Sequence, residues 1–358
     1  MNKYAQIIGV FLLILSSFPN RTQGQDSKLA ELYVCPPCNS NCDKLTFSEA
    51  GNCSHCNMEL IKESELKRFN QESKKRIAFY LQSGIEVLDF AGPMEVFSYA
   101  GYEVFTVSEK KEIIISQGIL KVQPDFSVED APEADILAFF GGNAWPTLRE
   151  PAVQNWIKNQ KEVETYFSVC TGAFALAESG LLDGKTATTF HNALESLEEN
   201  YPRIDVRKDV RFVDNGKVIT TAGISAGIDG ALHLVAKLEG VNKAREIAYH
   251  MEYDKWLAGE GLILSPDNPY EGLLSLSELS DYEGKYQYLA GSEIEIFADK
   301  EERGLFARVE GMNYPLFQDE KDQFRNLQGD LIIFKRDGSG KVSSYSLATE
   351  NDSYKKLD

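Results

Sequence analysis

The pattern of apolar and polar positions changes character twice along the chain. Ile77-Ala-Phe-Tyr-Leu81, Tyr102-Glu-Val-Phe-Thr-Val107, Asp135-Ile-Leu-Ala-Phe-Phe140 and Tyr166-Phe-Ser-Val169 are short, continuous apolar runs that read as strands buried on both faces. Helical patterns separate them, over residues 94–99 and over 151–161 with Val153, Trp156 and Ile157 on one face. Such alternation predicts an α/β fold with a parallel sheet covered by helices on both sides. A loop rich in Gly, Ser, Pro and Asp (residues 259–278) ends this region. Beyond it the period shortens to two, in Tyr282, Tyr286 and Tyr288, in Glu293-Ile-Glu-Ile-Phe297, in Gly304-Leu-Phe-Ala-Arg-Val309, in Leu331-Ile-Ile-Phe334 and over 342–347, with Asp337-Gly338 as a hairpin turn. This predicts a small antiparallel barrel or curved sheet.

The chain has 358 residues, 43% of them hydrophobic and 26% charged, enough for two or three folded units. Its net charge of -18 opposes phosphate backbones and anionic headgroups, so nucleic acid and membrane surfaces are poor partners. Lys3, an apolar run over residues 7–18 and the small Gly24 read as an export signal over 1–24. The expected location is periplasmic or secreted, with no membrane insertion after signal removal, because the run is shorter than the ~20 residues a spanning helix needs.

Five of the six cysteines fall between Cys35 and Cys56. Cys35-Pro-Pro-Cys38 and Cys53-Ser-His-Cys56 are two C-x2-C knuckles, each turning two thiolates toward one point, so Cys35, Cys38, Cys53 and Cys56 are the expected ligands of a structural zinc or another heavy metal. Cys42, His55 and Met58 are spare soft donors. Disulfides are the alternative in an exported chain, but five cysteines cannot all pair. The segment 31–62 resembles the heavy-metal-binding domain of periplasmic metal-handling proteins, in Tyr33-Val-Cys35-Pro36 and in Cys53-Ser-His-Cys56-Asn-Met58-Glu-Leu60. It departs from that pattern at Cys38, where histidine is common, and at Asn57, where glycine is usual. A charged stretch, residues 63–75, reads as a linker or short helix.

Tyr166-Phe-Ser-Val-Cys170-Thr-Gly-Ala-Phe174 delivers the remaining cysteine into a turn of small residues between a strand and a helix. A strand that turns this tightly strains the apex residue and aims the first N–H groups of the helix at its side chain. Those groups can lower a thiol pKa and stabilise an oxyanion, which makes Cys170 a candidate nucleophile rather than a core cysteine. The ends of neighbouring strands bring Asp89 and Gly142 toward the same edge, where open α/β sheets place their chemistry.

Residues 76–258 resemble the ThiJ/PfpI superfamily, with its glutamine-amidotransferase-like, flavodoxin-like fold, and within it the isonitrile-hydratase branch. The resemblance rests on Gly84-Ile-Glu-Val-Leu-Asp89-Phe-Ala-Gly-Pro93, Gly141-Gly142, Val169-Cys-Thr-Gly-Ala-Phe-Ala-Leu-Ala177, Gly180-Leu-Leu-Asp-Gly-Lys-Thr-Ala-Thr-Thr189 and Val218-Ile-Thr-Thr-Ala-Gly-Ile-Ser-Ala-Gly-Ile-Asp229. It implies Cys170 as nucleophile, Asp89 as its carboxyl partner and an oxyanion pocket at Gly141 and Gly142 with the Thr171 N–H, Thr171 also offering its hydroxyl. It implies no cofactor in this domain. The branch commonly carries Thr-Thr-His-Trp where this chain has Thr188-Thr189-Phe190-His191, so His191 is either a displaced pocket residue or a surface histidine. Ser225 is expected to cap a helix and line the pocket. Residues 180–186 fall one short of a phosphate-binding loop and read as a helix end and turn, and His233, inside an apolar helix, reads as a packed residue.

The opening of the tail, Asp281-Tyr-Glu-Gly-Lys-Tyr286, resembles lipocalin-like modules of exported bacterial enzymes, which places a β-rich domain over 276–358. The expected function is an exported lyase or cysteine hydrolase that hydrates or hydrolyses a small isonitrile, amide or carbonyl compound. The competing reading is a metal-binding or thiol stress sensor without turnover. A homodimer is left open.

Overall fold

In the computed structural model the described residues are 32–36, 42, 45–66, 74–143, 149–253, 256–301, 303–348 and 352–357. The leader expected over 1–24 and Cys38 lie outside them. Among the described residues no helix is long and apolar enough to cross a membrane. The chain divides between Ser73 and Lys74 into two compact units.

In the first unit, Tyr33–Val34 pairs antiparallel with both Thr46–Phe47 and Ile61–Lys62. This three-stranded scrap is too small to hold itself by apolar burial, and its core is mostly sulfur: Cys35, Cys42 and Cys53 with Leu60, backed by Tyr33, Phe47 and Cys56.

In the second unit an eight-stranded sheet runs, edge to edge, Leu262–Ile263, Phe212–Asp214, Val218–Thr221, Thr165–Val169, Ile136–Phe139, Arg76–Tyr80, Glu103–Ser108 and Phe126–Ser127. All neighbours are parallel except Phe212–Asp214 with Val218–Thr221. The continuous apolar runs arise because both faces are covered. Ile77, Phe79, Ala138, Phe167 and Val169 point to one helical layer, and Ala78, Tyr80, Phe139 and Tyr166 point to the other. Burying one such phenylalanine contributes roughly 1.5–3 kcal/mol.

The antiparallel strand was not anticipated, and its anchor is a buried network. His233, fully buried as expected, bonds Asp214 at 3.0 Å and Tyr270 Oη at 2.9 Å, while Lys237 Nζ reaches Asp214 Oδ2 at 2.9 Å. Burial pushes the Asp214 carboxyl up, but the hydrogen bonds from His233 and Lys237 outweigh it and hold the pKa below the usual range.

The tail folds as eight antiparallel strands in sequential order from Gly284–Gln287 to Tyr354–Lys355. A bridge between Tyr286 and Lys356, with Leu357 N–H donating to Lys285 O at 2.8 Å, brings the last strand back to the first, so the sheet is a nearly closed barrel. Tyr282, Tyr286, Phe324, Phe334 and Tyr345 fill it. The turn at Asp337 forms, although the left-handed position is Gly340 (φ 84°) rather than Gly338.

Candidate active site

The strand Thr165–Val169 ends at Cys170, a tight turn follows over Cys170–Gly172, and the helix Ala173–Glu178 continues from it. Cys170 sits at φ 59°, a conformation that costs a non-glycine residue on the order of 1–3 kcal/mol. Its backbone is held from both sides: its N–H donates to Ala222 O at 3.0 Å, and Thr189 Oγ1 donates to its carbonyl at 2.7 Å. Gly172 permits the turn, since a Cβ there would stand 2.3 Å from Phe139 O on the neighbouring strand.

Asp89 was expected near the carboxyl end of a strand, in the stretch leading into a helix from Met94. Instead the helix is Val87–Tyr99, with Pro93 inside it and Asp89 in its first turn, fully buried. Proline lacks only its own bond back to residue 89, and packing of Phe90 on Phe140 and burial of Val96 and Phe97 carry the helix through it. The Asp89 carboxyl accepts the Gly141 N–H on Oδ2 at 2.9 Å and the Ile224 N–H on Oδ1 at 3.0 Å, and it is hydrogen-bonded to the Cys170 thiol. Ile224, the second donor, is itself strained at φ 56°. Sequence reasoning did not single it out; the small-residue turn Ala222-Gly-Ile-Ser-Ala226 was the signal.

The electrostatics reverse one expectation. Helix-end N–H groups alone would lower the thiol pKa, but burial first and the Asp89 carboxylate second push Cys170 up to about 12, against the lowering bond from the Thr171 N–H. Burial likewise pushes Asp89 up to about 6, against the lowering bonds from Gly141, Cys170 and Ile224. The Asp89 carboxylate raises the thiol while the thiol's hydrogen bond lowers the carboxyl, so the two titrate as a pair. One proton leaves near pH 6 and the second is held to about 12, which leaves a single proton between sulfur and carboxyl at neutral pH.

Gly141 and Gly142 floor the site. A Cβ on Gly141 would lie 2.6 Å from Cys170 Sγ and 2.8 Å from Asp89 Oδ2, so only glycine leaves room over the thiol. Gly142 adopts φ 98°, and a Cβ there would meet Gly84 O at 2.2 Å. The Thr171 hydroxyl donates to Gly142 O at 3.4 Å. The other two expected pocket residues are exposed. His191 packs its ring on Phe190, centroids 4.2 Å apart, and it is Phe190 that lies against Gly223 of the turn beside Asp89. Ser225 occupies the position before the helix Ala226–Glu239 without capping it; its hydroxyl accepts from Arg211 Nη2 at 3.2 Å.

In the first unit the Sγ atoms of Cys35, Cys42, Cys53 and Cys56 lie within 4.8 Å of one another, a spacing suited to four thiolates around one metal ion. Cys42, taken from sequence as a spare, stands in this cluster, whereas the place expected of Cys38 falls outside the described residues. Cys35 and Cys56 sulfurs are 3.2 Å apart, far beyond a disulfide bond. His55 and Met58 are exposed. Asn57 takes φ 60°, the left-handed conformation that asparagine tolerates better than other side-chain-bearing residues, which accounts for its standing where glycine is usual. We expect Cys42→Ala to release the metal from a chain purified with zinc, with His55→Ala and Met58→Ala retaining about one zinc per chain by elemental analysis; full retention by Cys42→Ala would remove it from the ligand set.

Sheet order, elbow and buried carboxyl together define a doubly wound α/β protein with a cysteine at its strand-to-helix turn. The DJ-1/PfpI family model matches residues 75–237. An isonitrile hydratase of Pseudomonas putida is 34% identical over 181 residues, covering 50% of this chain and 78% of that protein. The chain belongs to the DJ-1/PfpI family. The HTH-type transcriptional regulator CdhR of Pseudomonas aeruginosa is 28% identical over 177 residues, 48% of this chain, which spans about half (52%) of the regulator. A solved THiJ/PfpI family protein from Pseudomonas syringae is 25% identical, with a TM-score of 0.48 over 52% of this chain and 79% of that one.

Proposed function

We propose that this chain is an exported enzyme in which Cys170 attacks a small electrophilic carbon, with hydration of an isonitrile as the reaction class. The carrying observation is the buried Asp89 carboxyl hydrogen-bonded to a strained Cys170, a pair that holds one exchangeable proton. The isonitrile hydratase relative supports the choice of electrophile. In the step we envisage, the sulfur bonds to the terminal isonitrile carbon while the pair's proton passes to that carbon, giving a thioimidate. Water then adds to the same carbon, nitrogen takes a proton, and the C–S bond breaks to release an N-substituted formamide and restore the pair. The Gly142 N–H, which makes no hydrogen bond among the described residues, and the Thr171 N–H are the donors available to the intermediate's oxygen.

Export and a structural zinc in the four-cysteine cluster complete the reading, and both rest on sequence pattern and donor chemistry. A thiol sensor would need a resolving cysteine, and among the described residues Lys74 to Leu357 contain no cysteine except Cys170. A panel of small alkyl and aryl isonitriles, amides and aldehydes tests the proposal: formamide appearing from an isonitrile supports it. Silence across the panel, with Cys170 oxidised by peroxide and recovered by thiol, would favour the sensor.

A further inference from the structure

Within the second unit a cleft of about 690 Å³ opens between the helix Val241–His250 and the strands Gly304–Val309 and Met312–Glu320 of the barrel. Its size is that of a small-molecule site, roughly 300–1,000 Å³. None of Cys170, Asp89, Gly141 or Gly142 lines it. The walls are fixed to each other: Asn242 Nδ2 donates to Gln318 O at 2.9 Å, and Gln318 in turn accepts the Leu274 N–H at 2.8 Å and donates to Gly272 O at 2.8 Å. Buried Ala248 and Trp256 face it from one side and Phe306, Leu316 and Phe317 from the other.

Arg245 also lines this space. Its guanidinium has no hydrogen bond and no ion pair among the described residues. Surrounding protein desolvates it enough to pull its pKa below the ordinary arginine range, although the residue as a whole is only half-buried. The other charges at the cleft are satisfied or solvated: Arg303 pairs with Glu260 at 3.3 Å, His250 faces Glu246 at 3.8 Å, and Glu252 is exposed. An unpaired cation against apolar walls is costly unless something completes it.

We propose that this cleft binds a small amphiphile with one carboxylate, its two oxygens on the Arg245 guanidinium and its apolar body against Trp256 and Phe317. A guanidinium fork matches a carboxylate with two parallel hydrogen bonds, and Arg245 has no carboxylate partner among the described residues. The inference is independent of the chemistry at Cys170.

Calorimetric titration of the full chain with decanoate, decanol and decyl phosphate, all below micelle formation, tests it. Decanoate is expected to bind at least tenfold tighter than decanol, and to bind equally well after Cys170 is alkylated. Arg245→Leu should bring decanoate down to the affinity of decanol, with thermal stability kept. If that variant does not fold, Arg245→Lys serves instead, with charge retained and the preference reduced several-fold because the fork is gone. Equal affinity for decanoate and decanol in the parent, an undiminished preference in the folded variant, loss of binding on Cys170 alkylation, or tenfold tighter binding of decyl phosphate would each overturn the assignment.

Discussion

Cys170→Ser is expected to lower turnover of whichever isonitrile the parent hydrates by about 10⁴-fold or more, while leaving thermal unfolding within a degree or two of the parent. The effect is large because the sulfur is the atom that bonds to carbon, and removing a nucleophile forfeits the whole covalent route. Serine fits the space and can keep a hydrogen bond to Asp89, but its hydroxyl is a far weaker nucleophile than a thiol with a shared proton. The strain at φ 59° is a backbone property and persists in the variant. Residual turnover above a tenth of the parent's, measured as formamide release, would mean that Cys170 is not the attacking group.

Asp89→Asn should cost at least about a hundredfold in turnover, the amount general acid–base catalysis usually supplies. The surroundings make this substitution harsher than its near-isosteric shape suggests. Both carboxyl oxygens accept backbone N–H groups, from Gly141 and from Ile224. An amide can satisfy only one of them, so its NH₂ must face the other donor in a buried site, at a cost of roughly 1–3 kcal/mol. A drop in thermal stability should therefore accompany the loss of turnover. Turnover equal to the parent's would reduce Asp89 to a structural acid and take the hydratase reading with it.

The elbow was legible from sequence because its signals are local: an apolar strand, one cysteine, then Thr171, Gly172 and Ala173. The packing that makes it a site was not. The helical pattern was read only over residues 94–99, yet Phe90 and Val96 bury enough apolar surface to carry the helix back through Pro93 to Val87, and this places Asp89 inside the protein, in the helix's first turn. The thiol's electrostatics went the same way, since a helix end is visible in a sequence and the burial of a carboxyl beside it is not. Spacing likewise marked four cysteines as knuckles, but Cys42 reaches the cluster through a fold of the chain that no C-x2-C count records. Ile224 is bound to Asp89 across 135 positions of sequence, beyond the reach of any periodicity. The barrel was easier, because alternation with aromatic residues at every second position specifies inward faces directly, as Tyr282, Tyr286 and Phe334 show.

The shared proton is the centre of this account, and the rate of Cys170 alkylation by iodoacetamide across pH 4–11 measures it most directly. Below the carboxyl's raised pKa the pair holds both protons and the sulfur is protected; as pH rises through about 6 the pair gains its single negative charge. That charge sits on the carboxylate, which together with burial holds the thiol's proton up to about 12. Alkylation of the parent should therefore stay slow through neutral pH and climb only at the alkaline end, and Asp89→Asn, lacking the carboxylate, should react at lower pH than the parent. A parent midpoint at or below the ordinary thiol value, ~8.5, or a profile that Asp89→Asn leaves unmoved, would contradict the pairing of Cys170 with Asp89.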